Sequence, residues 1–274
     1  MATDHSISAS TDLCGIILHP AGHTRSPAMH NAAFRAAGID AAYLAFDVSP
    51  ERLSDAMLGI RALCLRQVAV SIPHKIEVMR HLDAIDDTAR AIGAVNTVTR
   101  AGQRLLGTNT DCVGALRAIE AETKVEGRHA VVLGAGGTAR AVVYGLVSAG
   151  ARVTVLNRTR ERAVALAEAL GADAAGGPSE LAEIEHDILI NTTSVGLRED
   201  ASPVPAEAIR PGSVVMDAVY DPETTRLLAD AAARGATPIA GKSMLVHQAA
   251  AQFETWTERA APVDVMARAF DAAG

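Results

Sequence analysis

The sequence predicts an α/β protein of two domains. Three features point that way: a length of 274 residues, strand-length apolar runs that alternate with helical-period stretches, and a charged segment that breaks this rhythm in mid-chain. At roughly 100–200 residues per domain the length suits two domains, each with chain enough for a core. Hydrophobic residues make up 49% and charged residues 21%, which excludes disordered, collagen-like and disulfide-framework classes.

In the first half, LCGIIL (13–18) reads as a strand, followed by a helix from about Pro27, the strand AAYLAF (41–46) and a helix from about Pro50. The strand QVAVSI (67–72) and a helix from Lys75 to Leu82 continue the βαβ rhythm, so a mainly parallel sheet is expected. AVNTVTR and QRLLGTN, joined at Ala101-Gly102, suit a hairpin. TDCVGALRAIEAE reads as a helix, and the charged run ETKVEGRH marks a break before the next strand.

A second series then begins with the strand HAVVL, a helix over 138–149, the strand RVTVLN and a helix over 161–170. DILINTT and SVVMDAV read as strands, 225–234 as a helix and TPIA as a strand. MLVHQAAAQFETW has helical periodicity and is expected to return to the first half.

A net charge of −7 and a pI near 5.7 argue against a polyanion-binding surface, so no nucleic-acid partner is expected. Cys14, Cys64 and Cys112 are scattered, without CxxC spacing, and suggest neither a zinc site nor a disulfide framework. His19 and His23 are four apart, but Pro20 and Gly22 prevent the helix that would align them, so no metal is expected. The opening MATDHSISASTD has no basic or apolar leader region, and no uncharged run approaches the ~20 residues that span a bilayer. The reading is a cytoplasmic protein with no membrane partner.

HAVVLGAGGTARA places Gly134, Gly136 and Ala139 in G-x-G-x-x-A spacing, between an apolar strand and a helix. The glycines permit a tight turn, and the amides of Gly134, Ala135, Gly136, Gly137, Thr138 and Ala139 lie at a helix N-terminus that favours a pyrophosphate. A dinucleotide-binding Rossmann domain is therefore predicted for the second half. After the next strand, Asn157-Arg158-Thr159-Arg160-Glu161-Arg162 stands where an NAD site would carry an acid for the ribose. The basic run suits a 2′-phosphate, so the expected cofactor is NADP. A solvated basic helix start is the alternative. ATPIAGKS (236–243) imitates a phosphate loop, but Thr237–Ala240 read as strand and Pro238 lacks an N–H, so this match is treated as accidental.

The segments HTRSPAMHN, SIPHK, GAVNTV, LLGTNTDCVG, VLGAGGTARA, NRTRER, NTTSVG and MLVHQAAAQF run in order from end to end. With them the chain resembles the shikimate dehydrogenase family, which includes quinate/shikimate dehydrogenases. The resemblance implies NADP-linked, metal-free interconversion of 3-dehydroshikimate and shikimate in a cleft between a catalytic α/β domain and a Rossmann domain. The expected boundaries are 1–108 with the C-terminal helices 244–274 for the catalytic domain, and 109–243 for the cofactor domain.

Lys75 matches the family's catalytic lysine and Asp111 the aspartate beside it, which also contacts substrate. Hydride reduction of a ketone leaves an alkoxide that must be protonated, and the reverse reaction needs a proton removed. An ammonium beside a carboxylate supplies both that proton and stabilisation of the developing negative charge. Read alone, Lys75 suits a surface lysine in a first helical turn and Asp111 an N-cap. Thr24 and Ser26, two hydroxyls two apart at a helix start, match the substrate-carboxylate clamp, with Ser26-Pro27 as N-cap and N1 the alternative. Ser71, Asn96 and Gln248 match positions that bind ring hydroxyls, and Tyr220 one near the carboxylate. Thr192 lies at a strand's carboxyl end, while Ala218 and Gly241 match the nicotinamide end.

Thr24 stands where the family usually has serine, Ser71 where it has threonine, Ala69 where asparagine is common, and Cys112 and Ser243 where glycines are common. These departures leave open quinate or another cyclohexane or cyclohexene carboxylate as substrate, or a non-catalytic NADP-binding regulator. A folate dehydrogenase or a glutamyl-tRNA reductase would share the layout, but the latter needs a catalytic thiol and no cysteine here lies in a matching motif. The partner expected is a small shikimate-like carboxylate, with the chain a monomer or homodimer.

Overall fold

A computed structural model describes residues 7–22 and 24–273. His23 of the histidine pair and the opening hexapeptide lie outside the described residues. The chain forms two compact units, 1–110 with 249–274, and 111–248. The predicted α/β class holds for both.

The first unit opens with β1 (Asp12–Leu18), α1 (Ser26–Ala37) and β2 (Ala41–Asp47). A 3-10 turn at Pro50–Arg52 leads into α2 (Leu53–Ala62), followed by β3 (Gln67–Val70). After β4 (Ala84–Ile85) and α3 (Asp87–Ile92), two elements the sequence pattern left unread, β5 (Thr97–Ala101) and β6 (Arg104–Thr108) form the expected hairpin. Its turn is Gly102-Gln103 rather than Ala101-Gly102, since Ala101 still pairs with Arg104. Gly102 takes φ +63°, which glycine adopts at no steric cost.

The sheet runs β2-β1-β3-β5-β6-β4. β1 is parallel to β2 and β3, but β5 is antiparallel to both β3 and β6. The sheet is mainly parallel, as expected: five of its six strands run one way and β5 alone is reversed. A hairpin inserted beside β3 must reverse direction once, whereas every parallel step needs a crossover connection.

The helix expected from Lys75 to Leu82 is also corrected: 72–76 is a turn, and only Glu77–His81 coils, as 3-10 helix. An α-helix would bring the Met79 N–H to the Lys75 carbonyl. Instead Met79 N–H donates to the Ile76 carbonyl at 3.2 Å, and the Lys75 carbonyl accepts Val95 N–H at 2.8 Å. A tertiary bond has captured the acceptor that helix propagation required.

The second unit contains α4 (Asp111–Glu120), β7 (His129–Leu133), α5 (Gly137–Ser148), β8 (Arg152–Leu156), α6 (Arg160–Leu170) and β9 (Ala174–Gly176). It continues through β10 (Ile188–Asn191), β11 (Val214–Asp217), α7 (Arg226–Ala233) and β12 (Thr237–Ile239) into α8 (Gly241–Thr257). Its strands are all parallel in the order β12-β11-β10-β7-β8-β9. This is the doubly wound Rossmann order, with its reversal between β7 and β10. Along β7, Ala130 and Val132 face one apolar cluster while Val131 and Leu133 face another, so the sheet is buried on both faces. Thr237–Ile239 pairs with β11 as a strand, leaving no loop there to cradle a phosphate.

From Ala249 onward α8 belongs to the first unit, as does α9 (Val263–Ala272). Phe34 of α1 meets Trp256 edge-on at 5.0 Å and Phe253 at 6.0 Å between ring centroids. Arg25 lies 4.5 Å over the ring of Phe270. Among the described residues no helix is long and apolar enough to cross a membrane.

Because Phe34 is fully buried at this aromatic junction, Phe34→Ala is expected to cost about 3–5 kcal/mol. A thermal melt should drop by many degrees and the emission of Trp256, the single tryptophan, should shift to the red. An unchanged melt would show that the junction does not anchor the C-terminal helices.

Candidate active site

At the start of α1 the N-cap is Arg25, with no side-chain capping bond. Ser26 therefore does not cap the helix, which corrects the structural alternative for it. Instead Thr24 Oγ1 donates to Ser26 Oγ at 3.2 Å and accepts the Ser26 N–H at 3.3 Å. The result is a hydroxyl pair at the positive end of a helix, suited to an anion.

The turn after β3 is pinned from three directions. Ser71 N–H donates to the Ile17 carbonyl at 3.0 Å, and His74 N–H to the Ser71 carbonyl at 2.9 Å. The buried His74 ring donates through Nε2 to the Val48 carbonyl at 2.7 Å, so it carries its proton there and serves to hold the turn. Lys75 follows, half-buried, in a turn rather than in the first turn of a helix.

Asn96 is buried between β3 and β6. Its backbone carbonyl accepts Val70 N–H at 2.8 Å, and its N–H donates to the Thr108 carbonyl at 3.1 Å. Its side-chain oxygen accepts Thr110 N–H at 2.9 Å and Thr97 Oγ1 at 2.8 Å, while Nδ2 donates to Thr110 Oγ1 at 3.0 Å. Gln252 of α8 donates to the Asn96 carbonyl at 3.1 Å and to Thr97 Oγ1 at 2.9 Å. Lys75 is thus tied by its carbonyl to Val95, the neighbour of Asn96, and Asn96 holds Thr110, the neighbour of Asp111. Asp111 itself is the first residue of α4 and is buried, where the helix N-terminus favours its negative charge.

In the second unit Gly134 takes φ +113°, and a Cβ there would lie 2.6 Å from Thr192 Oγ1. Only glycine fits. Thr192 Oγ1 in turn donates to the Leu133 carbonyl at 2.6 Å, joining the ends of β7 and β10. Gly136 is the extended N-cap of α5, with nothing within 4 Å of the place a Cβ would take. The first helical turn follows at Gly137 and Thr138, where helix amides have no partner within the helix, while the buried Ala139 packs beneath.

A cavity of about 330 Å³ adjoins this turn, lined by Gly134, Asn157, Arg158, Pro178, Thr193 and Ser194 among others. Asn157 Nδ2 donates to the Thr159 carbonyl at 2.9 Å and shapes the turn into α6. Arg158 is exposed at this cavity and Arg162 is exposed on the first turn of α6. Arg160 pairs with Glu180, whose carboxylate also accepts Gly177 N–H at 2.7 Å. The glycine turn, the open helix end and the neighbouring cationic side chains fit a dinucleotide that carries an extra phosphate on its ribose.

At the ends of β10 and β11, Ala218 N–H donates to the Asn191 carbonyl at 2.8 Å. Gly241 opens α8 so close to this edge that a Cβ would stand 2.8 Å from the Asp217 carbonyl oxygen and overlap the Val219 carbonyl. Tyr220 is half-buried beside it. Gln248, about two turns into α8, is buried and donates to the Leu245 carbonyl at 3.0 Å. One polar residue here escaped the sequence reading. Asp217 is fully buried and accepts bonds from Asn191, Val219 and Thr225. Burial pushes its carboxyl above the usual carboxylate range, and those three bonds oppose the shift. The available signal was a carboxylate inside the otherwise apolar run SVVMDAV.

Residues 16–98 match the shikimate dehydrogenase substrate binding domain, 116–196 the shikimate / quinate 5-dehydrogenase domain, and 241–269 the shikimate 5′-dehydrogenase C-terminal domain. A shikimate dehydrogenase (NADP(+)) of Moorella thermoacetica is 46% identical over 277 aligned positions, covering 96% of this chain and 93% of that protein. The chain belongs to the shikimate dehydrogenase family. Among solved members, the Thermus thermophilus enzyme in complex with NADP(H) and shikimate has a TM-score of 0.91 at 38% identity, over 96% of this chain and 100% of that one. The Aquifex aeolicus shikimate dehydrogenase has a TM-score of 0.92 at 38% identity, over 96% and 99%. One departure from the shikimate dehydrogenase pattern has a visible accommodation: Cys112 of α4 faces Gly145 of α5, where a Cβ would stand 3.3 Å from the Cys112 Cβ.

Gly134 and Gly136 should respond differently to the same change. Gly134→Ala forces a left-handed backbone and a clash, and should cost about 1–3 kcal/mol. Gly136→Ala meets neither and should leave the melting temperature within a degree or two. Equal melting temperatures for the two variants would contradict this account of the turn.

Proposed function

We propose that the chain is an NADP-dependent shikimate dehydrogenase that interconverts 3-dehydroshikimate and shikimate, with Lys75 as acid/base and Asp111 as its partner. The observation that supports the pair best is the run of bonds from the Lys75 carbonyl through Val95 and Asn96 to Thr110, the residue before Asp111. When bound, NADP supplies the hydride acceptor or donor at the ring carbon. Lys75 takes the hydroxyl proton as the alcohol becomes a ketone and returns it in reduction. Asp111 orients the ammonium, hydrogen-bonds the same hydroxyl and balances charge as it shifts.

Thr24 and Ser26 hold the substrate carboxylate with Tyr220 near it, while Ser71, Asn96 and Gln248 bind the ring hydroxyls. Buried polar groups of this kind reject analogues that leave them unpaired. Amides from Ala135 to Thr138 hold the pyrophosphate, while Gly134, whose N–H donates to the Leu156 carbonyl at 2.8 Å, and the buried Ala139 shape the turn that presents them. Asn157, Arg158, Thr159 and Arg162 hold the adenosine ribose and its 2′-phosphate, and Thr192, Ala218 and Gly241 lie along the nicotinamide end. The enzyme acts in the cytoplasm, in the route to chorismate and the aromatic amino acids, as a monomer or homodimer.

The buried Ala69 and the methyl of Thr24 favour a second reading, in which quinate or a related carboxylate is also turned over. Steady-state NADP reduction with shikimate and quinate side by side decides between them, and activity with neither would overturn both. Lys75→Ala is expected to lower kcat by about 10²–10⁴-fold with little change in KM, since the proton transfer matters most in the transition state. Near-normal turnover would remove that role. Arg158→Ala should raise the KM for NADP by roughly 10–100-fold, the worth of one or two charge-assisted hydrogen bonds, and leave the KM for NAD nearly unchanged. If both cofactors weaken together, Arg158 does not read the 2′-phosphate.

A further inference from the structure

We propose that Asp217 is a positioning residue for the reaction: from the end of β11 it fixes the two loops that carry the nicotinamide-end residues. What those loops hold rests on the function proposed above. That the carboxylate organises them rests on geometry alone.

Asp217 lies opposite Asn191 in the β10–β11 register, at the carboxyl edge of the sheet. Its Oδ1 accepts Asn191 Nδ2 at 2.9 Å and Val219 N–H at 3.0 Å, and its Oδ2 accepts Thr225 Oγ1 at 2.6 Å. Asn191 passes the constraint on. Its side-chain oxygen accepts Thr193 N–H at 3.0 Å and Thr193 Oγ1 at 2.7 Å, while its Nδ2 also donates to the Val195 carbonyl at 3.2 Å. One carboxylate therefore sets the loop after β10, which carries Thr192, and the loop after β11, which carries Ala218 and Tyr220. Thr225 ties the same carboxylate to α7, where its oxygen also caps Leu228 N–H at 3.4 Å.

The carboxylate is fully buried, and among the described residues no cation lies within ion-pairing distance of it. All three of its partners are neutral donors. Burying a carboxylate in this way is costly where an amide or hydroxyl could serve as a simple brace. What an ionised group adds is strong acceptance on both oxygens at once, with no N–H or O–H of its own to turn toward a neighbour. The two loops are thereby held in one arrangement. The close approach of Gly241 to the Asp217 and Val219 carbonyls means that a shift of the loop after β11 would also disturb the start of α8.

The test uses Asp217→Asn, which keeps the shape but replaces one acceptor by a donor, with Asp217→Ala and Thr225→Val beside it. Three readouts are taken: steady-state constants, the isotope effect with shikimate deuterated at the carbinol carbon, and amide exchange in the cofactor-free protein. In Asp217→Asn, kcat should fall at least tenfold while the KM for NADP changes less than threefold, because the pyrophosphate and 2′-phosphate contacts lie elsewhere. The isotope effect should rise, and exchange at Thr193 and Val219 should quicken at least tenfold with the melt still cooperative. Thr225→Val should show the same pattern, weaker. Should Asp217→Ala not fold, the other two variants carry the test.

Wild-type kcat and isotope effect in Asp217→Asn overturn the proposal, with or without faster exchange. So does a kcat loss matched by loss of folded protein with the isotope effect and loop exchange unmoved. A wild-type protein that turns over neither shikimate nor quinate would sink the functional reading instead, and slow exchange at Val219 in Asp217→Asn would then still refute the loop constraint.

Discussion

Asn96 is the interaction on which the substrate-binding unit depends. It sits where β3, β5 and β6 meet, and its backbone joins Val70 to Thr108 while its side chain grips Thr97 and Thr110. Helix α8 reaches the same point through Gln252. A buried amide with both ends bonded tolerates little movement, since any partner lost would leave a desolvated polar group. That rigidity is useful only because of what borders it. Val95 holds the carbonyl of Lys75 on one side, and Thr110 leads into Asp111 on the other. The bond from Val95 that fixes the backbone at Lys75 also stops an α-helix from forming there.

The cofactor unit meets a different constraint. Its six strands run parallel, so their carboxyl ends, and the loops after them, collect along one edge. Loops so placed must be braced without filling the space a ligand needs. The bracing falls to side chains just past the strands: Thr192 onto Leu133, Asn191 onto Asp217, and Asp217 onto Thr225. Glycines then stand where a Cβ would collide with this bracing, at Gly134 against Thr192 and at Gly241 against the Asp217 carbonyl. The familiar glycine pattern and the less visible polar braces are two halves of one packing problem.

This explains which parts of the molecule could be read in advance. Five of the six strands of the second unit were legible, the central ones because both sheet faces are buried and their residues form unbroken apolar runs, as in HAVVL and DILIN. The three-residue edge strand β9 (AAG) has no such run. The glycine turn was legible because its spacing is tied to backbone sterics. The turn at Lys75 was not, because a hydrogen bond from Val95, far along the chain, decides it. Nor was the reversal of β5, which depends on which strand the hairpin joins. Ser26 looked like an N-cap from its neighbour Pro27, yet the helix starts one residue earlier and the hydroxyl pairs with Thr24 instead. Asp217 stayed hidden because a carboxylate in an apolar strand has no local signature until its neutral donors are seen around it.

The arginines after β8 show how a charge pattern becomes selective only in three dimensions. Arg158, Arg160 and Arg162 are equivalent in sequence, three cations around a helix start. Glu180 removes that equivalence by pairing with Arg160 while accepting the Gly177 amide, so one cation secures the neighbouring loop. The pair is solvent-exposed and adds little to stability. Its effect is one of assignment. With Arg160 turned to the Gly177 loop, Arg158 is the arginine of the three that lines the cavity beside Gly134, and a guanidinium fork has the geometry to bond two oxygens of one phosphate at once. A carboxylate well downstream in the chain therefore sets Arg160 apart from the arginine that lines the cavity.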